Sequence, residues 1–260
     1  MACSPESGHA CPAFSTVVPA AGIGSRMGTE KKKPFLAING HPIVLHTLAR
    51  LASVPGCREQ VLVVHRDELR FYRRNWAGAL RLHFNVTAIV PGGQSRQESV
   101  WRGLGATNPD VALVLVHDAV RPLVHGKTIQ RVAQRAADTD AAIAAVPAVA
   151  TIKRVDDDKR IVETPARENL WMAQTPQGFD RELLLRAHRY AREHGISGTD
   201  DAGLVESIGG EVYVVKDSRE NVKITTPEDT AIAETILQWQ ADNGLPAARL
   251  TIPGPETFPP

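Results

Sequence analysis

The run VALVLV at residues 111–116 is apolar at every position. A strand with no polar face has to be covered on both sides, as a central strand of a parallel sheet is. Four further short apolar runs share its character, at residues 14–18, 60–64, 84–90 and 141–146. Between them, residues 42–51, 67–76, 95–104 and 127–137 read as helical segments, several with apolar side chains at helical spacing. Strands alternating with helices specify an α/β fold. The expected architecture is a Rossmann-like, mostly parallel sheet with right-handed crossovers and helices on both faces.

The pattern changes after residue 148. Residues 150–164 read as strand, polar turn (Asp156, Asp157, Asp158, Lys159) and strand, a charged hairpin with few core side chains. Such a hairpin does not fit inside a doubly wound sheet, so residues 148–170 are expected to leave it as a β-arm. The chain returns through 170–179, a helix at 181–193, and a second helix at 199–208 with Thr199 as its N-cap. Residues 211–215 and 221–225 read as extended. Thr226, Pro227, Glu228 and Asp229 combine an N-cap, a first-turn proline and two carboxylates, which starts a helix running to about residue 239. Residues 1–13 and the proline-rich 241–260 read as loose extensions of one domain at 14–240.

A net charge of +1 makes no global case for nucleic acid or an anionic membrane, so any positive site has to be local. No apolar run of about 18 residues would span a bilayer. The N-terminus lacks the basic-then-apolar pattern of a signal peptide. Three cysteines at positions 3, 11 and 57 match neither a zinc spacing nor a disulfide framework. They fit a reducing compartment, and the expected location is cytoplasmic.

The first strand breaks at Pro19 into Ala20, Ala21, Gly22, Gly24 and Gly28, followed by Arg26 and the run Lys31, Lys32, Lys33 within and after the loop. Small residues let backbone approach a ligand, and N–H groups with fixed cations suit a polyphosphate. The loop is not a dinucleotide turn: G-x-G-x-x-G would need glycine at Met27, and Gly28 comes one position late. No register supplies a P-loop either. The alternative is a glycine turn beside a solvated lysine run. Arg26, set inside the tight loop, weighs against it.

Four more constellations stand at predicted strand ends or on the arm. Asp118 and Arg121 follow the central strand, where open α/β sheets bind ligands. Asp118 could hold Mg²⁺ or a hydroxyl, and Arg121 a phosphate, or the two could simply pair. Gly92, Gly93 and Ser99 frame the start of the helix at 95–104, a surface for a nucleobase or an ordinary turn. Thr151, Lys153, Arg154, Arg167 and Thr175 on and after the arm could meet a phosphomonoester, or face solvent. Lys223, in an apolar extended segment, needs an anionic partner if buried; a phosphate or a carboxylate would serve. No Ser/His/Asp constellation, nucleophile elbow or metal-ligand spacing of histidines accompanies them.

Taken together, VVPAAGIGSRMG, PGGQSRQESV, LVHDAVRPLV, ATIKRVDDDKRIVETPARENLWMAQTPQGF, GTDDAGLVE and ENVKITTPEDTAIAE, in this order, resemble the 2-C-methyl-D-erythritol 4-phosphate cytidylyltransferases from about residue 16 to 237. The resemblance implies a nucleotidyltransferase-type fold and a direct transfer. CTP and methylerythritol 4-phosphate would give the CDP-alcohol and pyrophosphate, with Mg²⁺ on the CTP phosphates. It implies Arg26 and Lys33 as catalytic cations. Ala20, Ala21, Gly22, Gly24, Gly93, Ser99 and Ala119 would line the CTP site. Asp118, Arg121, Thr151, Arg167, Thr175 and Lys223 would position the alcohol phosphate, Asp118 lying also beside the metal. It further implies a homodimer in which the arm reaches the partner; the charge and apolar-run readings above add no nucleic acid and no membrane to the expected partners. Two positions depart from the family pattern. Lys32-Lys33-Pro34 stands where Pro-Lys-Gln is usual, and Ala150 stands where an aspartate precedes the Thr-x-Lys of the arm. A cytidylyltransferase for another polyol phosphate, such as ribitol 5-phosphate, is the alternative.

Overall fold

The computed structural model describes residues 10–22 and 36–243. The elements run β1 (Phe14–Pro19), β2 (Ala37–Ile38), β3 (His41–Pro42), α1 (Ile43–Ala52), β4 (Cys57–Val64), α2 (Leu69–Asn75), α3 (Ala77–Phe84), β5 (Val86–Pro91), α4 (Arg96–Leu104), β6 (Leu113–Val116), α5 (Gly126–Thr139) and β7 (Ala141–Pro147). They continue with β8 (Arg154–Val155), β9 (Ile161–Glu163), β10 (Trp171–Asp180), α6 (Arg181–Glu193), α7 (Asp201–Ser207), β11 (Tyr213–Lys216) and α8 (Pro227–Asp242).

Seven strands form one sheet in the order β11-β7-β10-β6-β1-β4-β5. The pairs β1–β4, β1–β6, β4–β5 and β7–β11 are parallel, and β10 alone runs antiparallel, between β6 and β7. The mostly parallel α/β sheet expected from the apolar runs is the one observed. Period-two alternation assigns each strand's side chains to two cores. Phe14, Val18, Leu113 and Leu115 point to one core with α1, α3 and α5. Val17, Val114 and Val116 point to the other with α4, α6 and α7. A third cluster joins Ile38, Ile43, Leu123 and Ile224 to Ala233 and Leu237 of α8.

Two local expectations are corrected. Phe84 does not begin a strand. It closes α3, a helix the periodicity did not reveal, and Asn85 at φ 57° ends that helix in the left-handed conformation before β5 starts at Val86. Thr199 is not the cap of α7. Asp200 is, accepting a hydrogen bond from Gly203 N at 3.0 Å. The segment expected as extended at 221–225 lies beside the sheet without pairing to it, tied down by Ile224 N donating to Val120 O at 2.9 Å. The start of α8 follows the sequence: Thr226 and Asp229 form a reciprocal capping box with proline at the first turn. The hairpin of β8 and β9 pairs with no strand of the main sheet, and both of its strands are exposed throughout.

Candidate active site

Because β1, β4, β5 and β6 are mutually parallel, their C-terminal ends open on one edge of the sheet. Chain order reverses direction across the sheet between β1 and β6, the switch point where open α/β sheets bind ligands. A cavity of about 770 Å³ lies there. Its walls come from the loops at the strand ends: Ala20 to Gly22 after β1, Arg66 after β4, Gly92 and Gly93 after β5, and Asp118 after β6, with Lys223 from the extended segment.

The β5–α4 turn is built for close approach. A Cβ added to Gly92 would collide with that of Ala21, so glycine here lets the two loops meet. Ser95 caps α4 by accepting from Glu98 N at 3.0 Å, and Glu98 reaches back to accept from Gln94 N at 2.8 Å. Ser99 Oγ accepts from Gly93 N at 3.1 Å and donates to Ser95 O at 2.9 Å, which fixes the turn against the helix.

Four side chains form a connected charge array at the other side of the cavity. Asp118 Oδ1 accepts from Arg96 Nε at 3.1 Å, and its Oδ2 lies 2.8 Å from Lys223 Nζ. Arg96 Nη1 donates in turn to Asp201 Oδ2 at 2.7 Å. The guanidinium therefore bridges two carboxylates with separate edges of its fork. Burial pushes the Asp118 carboxyl up, but the charges of Arg96 and Lys223 outweigh it and hold the group well below the usual carboxylate range. Burial likewise disfavours charge on Arg96, and Asp201 and Asp118 more than offset it, raising its pKa above that of an ordinary arginine. Lys223 remains 43% exposed at the rim, so its ammonium has hydrogens free of the Asp118 contact to offer a ligand.

The structure sorts the remaining expected site residues. Ala20, Ala21, Gly22, Gly93, Ser99, Asp118 and Lys223 all line the cavity. Ala119 lies buried next to Asp118, with its carbonyl accepting from Thr47 Oγ1 at 2.8 Å. Arg121 is turned inward. Its Nη1 donates to Asn221 O at 2.7 Å, and its Nε stands 3.7 Å from Asp118, so among the described residues the short ionic partners of Asp118 are Arg96 and Lys223. Thr175 supports the turn from below: its Oγ1 accepts from Asp118 N at 3.1 Å and meets His117 Nδ1 at 3.1 Å. Thr151 and Arg167 are exposed on the arm, where Arg167 Nη1 donates to Val149 O at 3.0 Å. Gly24, Arg26 and Lys33 lie outside the described residues.

Arg96 and Asp201 were not legible as site residues. In the sequence Arg96 lies inside a glycine-rich motif and Asp201 reads as a helix-start charge beside Asp200. Only the fold separates the adjacent carboxylates, Asp200 as the cap and Asp201 wholly buried under Arg96.

A mostly parallel sheet, a glycine-lined cavity at its switch point and a paired carboxylate and lysine at the rim fit an α/β enzyme that handles a phosphorylated ligand. The family model for 2-C-methyl-D-erythritol 4-phosphate cytidylyltransferase (IspD) matches residues 14–239, and the chain belongs to that family. It is 44% identical over 224 residues to the 2-C-methyl-D-erythritol 4-phosphate cytidylyltransferase of Pelotomaculum thermopropionicum, covering 86% of this chain and 94% of the relative. It is 45% identical over 222 residues to that of Desulforamulus reducens, covering 85% and 94%. Among solved structures, the 2-C-methyl-D-erythritol 4-phosphate cytidylyltransferase of Thermus thermophilus superposes with a TM-score of 0.70 at 31% identity, covering 86% of this chain and 98% of that one.

Proposed function

We propose that this chain transfers the cytidylyl group of CTP to 2-C-methyl-D-erythritol 4-phosphate, in the non-mevalonate route to isoprenoid precursors. A phosphate oxygen of the polyol phosphate attacks the α-phosphorus of CTP in line. The bond from that phosphorus to the bridging α–β oxygen breaks, and pyrophosphate leaves with the electron pair. The products are 4-diphosphocytidyl-2-C-methyl-D-erythritol and pyrophosphate. The step needs no protein nucleophile, so the protein contributes positioning and charge stabilisation.

The observation that carries this reading is the Asp118–Lys223 pair at the rim, set across one cavity from the Gly92–Gly93 turn. The turn with Ser99 offers backbone to the cytosine and ribose, and Ala20 to Gly22 offer it to the triphosphate. Lys223 meets the polyol phosphate, while Asp118 holds Lys223 in place and faces the polyol hydroxyls. By the family pattern, Arg26 and Lys33 supply the cations that the transition state needs. Arg66 and Arg102 add positive charge to the cavity wall.

Among the described residues, no three His, Cys, Asp or Glu side chains converge on one point. A Mg²⁺ carried in on phosphates requires only one or two carboxylates, and Asp118 is the cavity carboxylate beside Lys223. The residues present fit a cation that arrives with CTP and neutralises its phosphates.

The arm supports a homodimer. Val149, Ile152, Val155, Ile161, Val162 and Met172 are all exposed apolar side chains on or beside it, more than a lone hairpin of this size would leave to water. A second copy of the chain would cover them and bring Thr151 and Arg167 to a partner's cavity. Function in the cytoplasm belongs to the same proposal, and the free thiols of Cys11 and Cys57 support it.

The deciding experiment is pyrophosphate release with CTP and Mg²⁺, assayed with 2-C-methyl-D-erythritol 4-phosphate and with ribitol 5-phosphate. Preference for the methylerythritol substrate is expected; preference for ribitol 5-phosphate would sink the assignment.

A further inference from the structure

Behind the rim, the charge array continues into the core. His188 of α6 is fully buried and places its Nε2 3.2 Å from Asp201 Oδ1. Its Nδ1 has no hydrogen-bond partner among the described residues, so the ring has one polar engagement, and it is with Asp201. Asp201 is held from its other side as well: Gln177 Oε1 accepts from the backbone N of Asp201 at 3.1 Å and of Ala202 at 3.2 Å, while Gln177 Nε2 donates to Asp200 at 2.8 Å. A wholly buried carboxylate contributes little stability that an apolar residue could not supply. Its placement has a geometric consequence, because Arg96 takes its orientation from two anions rather than one.

We propose that Asp201, backed by His188, is a positioning residue that acts through Arg96 to set the Asp118–Lys223 pair at the cavity rim. With Asp201 ionised, Arg96 divides its donors between two carboxylates and presents only Nε to Asp118. That leaves Asp118 Oδ2 to Lys223. Without the Asp201 charge, the guanidinium has one anionic partner among the described residues and turns its fork onto Asp118, displacing Lys223. Neither Asp201 nor His188 lines the cavity, so neither touches substrate. The assignment of Lys223 to the polyol phosphate is taken from the function proposed above; the coupling of Asp201 to Lys223 does not depend on it.

The test compares Asp201→Asn, His188→Leu and His188→Gln in the full chain. One readout is the KM for the polyol phosphate against the Kd for CTP. The other is the rate at which acetic anhydride acylates Lys223, followed by peptide mass spectrometry without substrate. Asp201→Asn is expected to raise the polyol phosphate KM about tenfold and to speed Lys223 acylation severalfold, with CTP affinity little changed. His188→Leu should move both readouts the same way. His188→Gln, which keeps an N–H donor for Asp201, should restore both toward wild type. Unchanged acylation and KM in Asp201→Asn overturn the proposal whatever happens to the melting temperature. Should that variant not fold, an unchanged His188→Leu overturns it in the same way. If the wild type turns over no methylerythritol phosphate, the functional reading fails, while the acylation rates still decide this coupling.

Discussion

Lys223 Nζ stands 2.8 Å from Asp118 Oδ2, and the two residues reach this contact from unrelated elements. Asp118 follows β6, held by Thr175 at its backbone N–H. Lys223 rides on a segment fixed on both sides, by Asn221 Nδ2 donating to Thr175 O at 2.8 Å and by Ile224 N donating to Val120 O at 2.9 Å. The pair is thus pre-set before any ligand arrives, which lowers the reorganisation that binding requires.

Substituting Lys223 by alanine should raise the polyol phosphate KM by about a hundredfold, since a charge-assisted hydrogen bond to phosphate is lost, with CTP affinity nearly unchanged. Steady-state kinetics with each substrate varied in turn checks this. Parallel losses for both substrates would place Lys223 on the triphosphate instead.

Asp118→Asn leaves Arg96 and Lys223 facing each other without their shared anion. Breaking a buried charge cluster from one side costs about 3 kcal/mol. The variant should therefore lose both activity and urea resistance, whereas Lys223→Ala, at a half-exposed position, should lose mainly activity.

Lys33→Ala should lower kcat far more than it weakens CTP binding, because a catalytic cation is needed most when charge develops at the α-phosphorus. Lys31→Ala and Lys32→Ala are the controls for the three adjacent lysines. Single-turnover rates and CTP titration together distinguish the three. A kcat loss shared equally among them would contradict the assignment to Lys33.

Acid should destabilise the protein in two stages. Burial lowers the pKa of His46 and of His117 from 6.5 to about 4, so the folded state holds fewer protons than the unfolded chain between those values. Their contribution is fully present above pH 6.5 and is lost as pH falls toward 4, up to roughly 3 kcal/mol for each. Asp118 and Asp201 have depressed pKa values, so their contribution survives that range and is lost only as pH falls below the ordinary carboxylate region. Urea midpoints measured from pH 7.5 to about 2 should fall first across the histidine window and again below the ordinary carboxylate region. His46→Gln should flatten that first limb.

Ile161→Asp with Val162→Asp on β9 should dissociate a dimer without unfolding the sheet, since both side chains are exposed and the hairpin pairs with no strand of the main sheet. Sedimentation gives the oligomeric state, and circular dichroism reports the fold. A monomeric wild type would refute the role given to the arm.

Local chemistry made much of this fold readable from the chain. Apolar runs such as VALVLV admit few surroundings other than a doubly covered sheet, and the Thr226–Asp229 cap is written in four consecutive residues. The glycines at 92 and 93 announce a close backbone approach wherever they fall. Helix α3 stayed hidden because Gly78 and an apolar run through Phe84 blur its period, and its end depends on the left-handed turn at Asn85. The reversed direction of β10 was equally unreadable, because an apolar run gives a strand's burial and not its orientation.

The sequence by itself determined the elements, the loops fit for an anion and the family's ordered motifs, because each is a property of neighbouring residues. Tertiary structure alone decided the partners of the charges. It set Lys223 on Asp118, turned Arg121 inward to Asn221, and buried Asp201 while leaving Asp200 as a cap. Coulomb pairing depends on distance in space and on the water excluded around it. Both arise only when the strand ends, the α7 N-terminus and the segment at 221–225 are folded against one another.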